Sequence, residues 1–127
     1  MAKVLKKRTL EKNWRKAVLK RWDNKCAYCG YTEELECHHI IYKSQSGVLK
    51  YDVRNGIVGC QKHHKPVYHT EPGRIWCIKQ IGAEEYQYLS DMTMVNVKDF
   101  KAQHGLSTAG YFEFMNDRLK NYINGFE

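Results

Sequence analysis

Apolar positions along this chain fall into short periodic runs with different repeats. Leu10, Trp14, Ala17, Val18 and Trp22 recur at helical spacing, which predicts a helix ending near Asp23-Asn24 with Thr9 as its N-cap. The opposite face of that helix carries Lys12, Arg15, Lys16, Lys20 and Arg21, so one side suits a core and the other a polar partner. Core packing is the expected job of both Trp14 and Trp22. Residues 1–8 show no apolar period and are expected to form a mobile arm.

The middle of the chain changes period. Leu35 to Tyr42 reads as a strand, Lys43 to Tyr51 as a loop, Arg54-Asn55-Gly56 as a turn, and Ile57-Val58 as a short returning strand. A short helix is expected from Gln61 to about Tyr68, limited by Pro66. Glu71-Pro72-Gly73 reads as a break, and Arg74 to Gln80 as a short strand or the tail of the core. Gly82 to Asp91 is predicted helical, followed by a helix from Asn96 or Val97 to Gly105. Ser107 or Thr108 caps a last helix carrying Tyr111, Phe112, Met115, Leu119, Tyr122 and Ile123 on one face and closed by Gly125.

These elements predict an α+β protein: a basic arm and helix at 1–24, a small core at 25–72, and a mostly helical extension at 73–127, forming one compact domain overall. Packing on the core and homodimer formation are both open to the C-terminal helices. No apolar run approaches the length of a membrane helix, and the basic N-terminus lacks the apolar stretch of a signal peptide. The expectation is a cytoplasmic protein with no membrane partner.

Charge adds an uneven distribution. The net charge is +7, yet residues 1–25 hold ten Lys or Arg against two acids, and the rest holds eleven bases against twelve acids. The whole excess lies in the N-terminal arm and first helix, which suits either a polyanion-binding surface or a solvated basic face that aids solubility.

Cysteine and histidine change the picture most. Four of the five cysteines and five of the six histidines fall within residues 26–69. Without a secretion signal, Cys-x-x-Cys spacing points to zinc rather than to disulfides. Cys26 and Cys29 form one pair, and Cys60 with His63 forms a second pair at the same spacing. Two such pairs fill a tetrahedral zinc site with no open position, the mark of a structural ion. Gly30, after the second cysteine, is expected to adopt a positive φ. His64 competes with His63 as the fourth ligand. Cys37 and Cys77 are expected to be small buried side chains.

The remaining histidines suggest hydrolysis. His38 and His39 are adjacent on a strand and so face opposite ways. One can hold a metal while the other acts as a base, with Asn55 holding an imidazole or its strand in place. The order Cys-x2-Cys, His38-His39-Ile40, Asn55 and Cys60-x2-His63-His64 resembles the HNH endonucleases of the ββα-metal class, over roughly residues 22 to 70. That resemblance implies a metal-dependent DNA endonuclease with His39 as general base, His38 and His64 on a catalytic Mg2+ or other divalent ion, structural Zn2+ on Cys26, Cys29, Cys60 and His63, and a motif asparagine at Asn55. Two positions depart from the family pattern. The fourth zinc ligand is usually cysteine, and His69 lies five residues after His64 where the family often has a histidine at four. The role of His69 stays open between metal ligand, phosphate contact and neither.

A weaker similarity, to phage NinG-type recombination endonucleases, rests on Ile81-Gly82-Ala83-Glu84-Glu85 and the helix after the core. DNA is the expected partner, held by Lys3, Lys6, Lys7, Arg8, Arg15, Lys16, Lys20, Arg21, Lys43 and Arg54. The alternative is a non-catalytic zinc-ribbon module binding DNA or protein.

Overall fold

In the computed structural model, which describes residues 6–125, five α-helices surround a two-stranded antiparallel sheet. Helix α1 spans Lys7–Arg21, strand β1 Leu35–His39 and strand β2 Gly56–Cys60. Helices α2 (Glu71–Ile81), α3 (Ala83–Met92), α4 (Val97–Gln103) and α5 (Thr108–Ile123) follow. Residues 1–5, and with them Lys3 and most of the expected arm, lie outside the described part.

The strands pair in a register that assigns every side chain a face. His38 opposes Ile57, and His39 opposes Gly56. Glu36, His38, Ile57 and Gly59 therefore share one face, while Cys37, His39, Gly56 and Val58 share the other. Each strand-facing layer has its own core. Val58 packs with Leu10, Trp14, Ala17 and Val18 of α1, Phe100 of α4, and Tyr111, Met115 and Leu119 of α5. Ile57 packs with Ile40, Ile41, Leu49, Tyr68, Cys77 of α2 and Leu89 of α3. Glycine permits both close approaches. A Cβ at Gly56 would sit 2.3 Å from Val18, and one at Gly59 would sit 2.7 Å from Tyr68.

Helix α1 is fixed to the lead-in of β2 by two indoles. Trp14 Nε1 donates to the Asp52 carbonyl and Trp22 Nε1 to the Gly56 carbonyl, each at 2.8 Å. On its outer side α1 meets α5, where Asn13 Nδ2 donates to Asn116 Oδ1 at 2.7 Å. Helix α5 thus packs on α1, which in turn packs on the sheet.

Several boundaries differ from the sequence expectation. Thr9 lies inside α1, whose N-cap is Lys6. Burying a helical Leu10 requires the turn before it, and the Leu10 amide donates to the Lys6 carbonyl. Strand β1 stops at His39 instead of Tyr42, because the Asn55 side chain claims both backbone groups of Ile41. The helix expected from Gln61 is a π-helical turn at His64–Tyr68.

The largest correction concerns residues 71–80, which form α2 and neither a break nor a strand. Thr70 caps that helix by accepting from the Gly73 amide. Pro72 lies in the first turn, where its missing N–H costs nothing. A Cβ on Gly73 would fall 1.7 Å from the Val67 carbonyl oxygen, so the Pro-Gly pair marks a crowded helix start. Helices α4 and α5 begin as expected, with Asn96 and Ser107 as N-caps accepting from Asp99 and Gly110.

Candidate metal centres and active site

The knuckle at Cys26 to Gly30 closes through the Gly30 amide, which donates to the Cys26 carbonyl, with φ of +79° at Gly30. The Ala27 amide donates to Val58, which ties the knuckle to β2. Cys60 ends that strand, and His63 follows within the next turn. Cys26, Cys29, Cys60 and His63 present ligand atoms that all lie within 4.8 Å of one another. Cys29 Sγ lies 3.7 Å from Cys60 Sγ, and His63 Nδ1 lies 3.8 Å from Cys26 Sγ and 3.2 Å from Cys60 Sγ. A tetrahedron of zinc–sulfur bonds has an edge of about 3.8 Å. These spacings suit a zinc ion bound by three thiolates and one imidazole.

The Cys26 thiol supports the same chemistry. Burial opposes its ionisation, but backbone bonds from Cys29, Cys60 and Tyr28 and the His63 contact together bring it down to about 6. Cys37 and Cys77 behave differently. Burial pushes them up to about 11 and about 12, as for inert thiols. Cys77 is fully buried in the α2 core. Cys37 is half-buried against α1, where its thiol donates to the Arg15 carbonyl.

A second cluster lies on the Glu36 and His38 face of β1. His38, His64 and His69 bring their ring nitrogens within 4.8 Å of one another. His64 Nε2 lies 3.1 Å from His38 Nδ1 and 3.2 Å from His69 Nε2. The π-helical turn produces this arrangement by carrying His64 and His69 back to the strand. The same turn separates the neighbours His63 and His64: the first joins the cysteines and the second joins His38. His69, five residues on, reaches the cluster because the wider π turn absorbs the extra residue. Burial holds His38 down to about 3, reinforced by His64 and His69, so it is neutral and free to ligate. Three imidazoles around one point suit a divalent ion with open positions.

Glu36 was not among the sequence candidates. It sits two residues before His38 on the same face, and its carboxylate accepts from His64 Nδ1–H at 3.2 Å. That bond selects the tautomer whose Nε2 lone pair points into the cluster. The two-residue spacing on a strand is the signal that would have identified it.

His39 occupies the opposite face. Its Nε2 faces the Lys50 carbonyl at 2.9 Å, which makes Nε2–H the donor and leaves Nδ1 as the basic atom. Burial lowers its affinity for protons to about 4, with Lys43 and Lys50 adding to the effect. His39 and the triad nevertheless line one opening. A cavity of about 620 Å³ is lined by Cys37, His38, His39, Tyr42, Lys43, Ser44, His64 and His69. Another of about 270 Å³ joins His39, His64 and Lys43 to Glu11, Trp14, Arg15, Glu36 and Lys50.

Asn55 is completely buried, and its side-chain hydrogen bonds go to backbone. Its Oδ1 accepts from the Ile41 amide at 2.7 Å, and its Nδ2 donates to the carbonyls of Ile41 and Leu49. It fixes the loop between the strands.

The basic residues divide into two groups. Lys6, Lys7, Arg8, Arg15, Lys16 and Lys43 are exposed, with Arg15 and Lys43 lining the cavity of His39. Lys20, Arg21 and Arg54 have structural partners instead. Lys20 Nζ donates to the carbonyls of Tyr122 and Ile123 at the end of α5. Arg21 pairs with Glu85 and donates to Val53. Arg54 pairs with Asp52 at 3.4 Å and lies over the Tyr88 ring, away from the histidines.

Residues 26–69 match the HNH endonuclease family. The HNH match begins at the first zinc-type cysteine and ends at the third histidine of the triad. It leaves out α1 and everything from α2 onward, and it does not extend to the NinG-type similarity. No curated protein and no solved structure matches the chain. The HNH segment indicates a nuclease-type function and metal binding. No helix among the described residues is long and apolar enough to cross a membrane.

Proposed function

We propose that this protein is a metal-dependent DNA endonuclease that hydrolyses phosphodiester bonds. The observation that carries this reading is the shared opening of His39 and the His38, His64 and His69 triad onto one cavity from opposite faces of β1. A binding module stapled by zinc needs Cys26, Cys29, Cys60 and His63, but it has no use for a second histidine centre.

Cys26, Cys29, Cys60 and His63 would hold a Zn2+ ion, which would fix the knuckle to the end of β2. His38, His64 and His69 would hold Mg2+ or another divalent ion, which would supply Lewis acidity toward a scissile phosphate. His39 Nδ1 accepts the proton of the attacking water, and its Nε2–H remains on the Lys50 carbonyl throughout. The low proton affinity of His39 keeps it unprotonated at neutral pH. Lys43 and Arg15 attract the phosphate, and the exposed Arg8, Lys16, Lys6 and Lys7 extend the basic surface along α1 for the flanking backbone.

Nicking of supercoiled plasmid with Mg2+ or Mn2+, with and without EDTA, tests the proposal. Wild type is expected to cleave and EDTA to abolish cleavage. His39→Ala is expected to keep the zinc and the fold and to lose cleavage. Full divalent-dependent cleavage by His39→Ala would overturn the mechanism.

A further inference from the structure

We propose that Trp14, on a helix outside the HNH match, is a positioning residue that sets the plane of the His39 ring. This inference rests on the endonuclease reading above. The indole and imidazole rings lie 3.9 Å apart with an interplanar angle of 5°. That is a full parallel stack, closer than the offset or edge-on arrangements that ring pairs usually adopt in a core.

Both rings are anchored to one short turn. Trp14 Nε1–H donates to the Asp52 carbonyl at 2.8 Å, and His39 Nε2 bonds the Lys50 carbonyl at 2.9 Å. The two acceptors are two residues apart, so the stack is referenced to a single piece of backbone. A hydrogen bond at Nε2 leaves an imidazole free to rock about that bond. The indole face removes that freedom and leaves Nδ1 pointing in one direction.

The strand opposite is built for this contact. His39 is paired with Gly56, and a Cβ there would meet Trp14 Cζ2 at 3.0 Å as well as Val18. Glycine at His39's cross-strand position therefore makes room for the indole. Ordinary core packing accounts for the burial of Trp14, but not for coplanarity with the strand histidine that faces away from the triad.

The test compares wild type, His39→Ala, Trp14→Phe and Trp14→Leu for zinc content, Mn2+ affinity and steady-state cleavage. Trp14→Leu is expected to keep Mn2+ affinity and KM and to lose about 10²-fold in kcat, the scale of a misplaced catalytic group. Trp14→Phe restores a flat face without the Asp52 bond. It is expected to lose several-fold in kcat, again at unchanged KM. Should Trp14→Leu fail to fold, Trp14→Phe decides on the same criterion. A folded Trp14 variant with wild-type kcat, or one whose loss lies in KM, overturns the proposal. An inactive wild type, or an active His39→Ala, instead sinks the endonuclease reading and this inference with it.

Discussion

Glu36 Oε1 accepts from His64 Nδ1–H at 3.2 Å, while the other nitrogen of the same ring faces both His38 and His69. One carboxylate therefore determines which His64 nitrogen serves the triad. Removing it frees the ring to flip and to protonate the wrong atom. Glu36→Ala is expected to weaken Mn2+ binding about 10-fold or more, the usual cost of losing such a partner. Glu36→Gln keeps an acceptor and should lose less. Calorimetric titration of the zinc-loaded protein measures both. Equal affinity in Glu36→Ala and wild type would show that His64 needs no orientation from Glu36.

Asn55 makes three hydrogen bonds to backbone from a fully buried position. Asn55→Ala leaves the Ile41 amide and carbonyl without partners in a site closed to water, while the Leu49 carbonyl keeps the Asp52 amide. A loss of about 3 kcal/mol in urea denaturation is expected, since each buried orphan costs about 1–3 kcal/mol. The same loop carries the Lys50 carbonyl that holds His39, so activity should fall as well. An Asn55→Ala protein as stable as wild type would mean that the loop is held elsewhere.

How far the sequence disclosed this site depended on the kind of signal. Cys26, Cys29, Cys60 and the two-faced pair His38 and His39 were legible, because ligand chemistry and strand alternation are local rules. The x2 spacing also favoured His63 over His64 for the cysteine cluster, although the π-helical turn that separates the two is announced by no residue. Residues 71–73 misled because Pro and Gly mark helix starts as readily as breaks, and the crowding against Val67 that decides the matter is tertiary. Lys20, Arg21 and Arg54 read as free charge for a similar reason. Their partners, the end of α5, Glu85, and Asp52 with Tyr88, are remote in sequence except for Asp52.

Acid should destabilise the protein through the two adjacent histidines. Burial lowers His38 to about 3 and His39 to about 4, both below the ordinary 6.5. Between those values and 6.5 the unfolded chain binds protons that the folded chain refuses. Stability is therefore greatest above about pH 6.5 and falls as pH drops toward 4, by up to about 1.4 kcal/mol per pH unit for each histidine. Urea denaturation at pH 5, 6 and 7, without added divalent ion, should show this slope. His39→Gln removes one titrating group and should flatten it. An unchanged slope in His39→Gln would mean that His39 does not titrate as its burial requires.

The two groups of basic residues on α1 predict opposite experimental signatures. Lys16 is exposed on the helix face that also carries Arg8 and Arg15. If this face meets DNA phosphates, Lys16→Ala should weaken binding and reduce the slope of log affinity against log salt by about 0.9, one phosphate's worth of released counterion. Lys20 is one turn further along but donates to the last carbonyls of α5. Lys20→Ala should leave the salt slope unchanged and lower the thermal midpoint, because it uncaps a helix C-terminus. Fluorescence anisotropy with a duplex probe across 50–200 mM salt separates the two, using a catalytically inactive His39→Ala background so that the probe survives. Equal slope losses from both variants would place the whole length of α1 on the nucleic acid, and the contact between Lys20 and α5 would then have to open on binding.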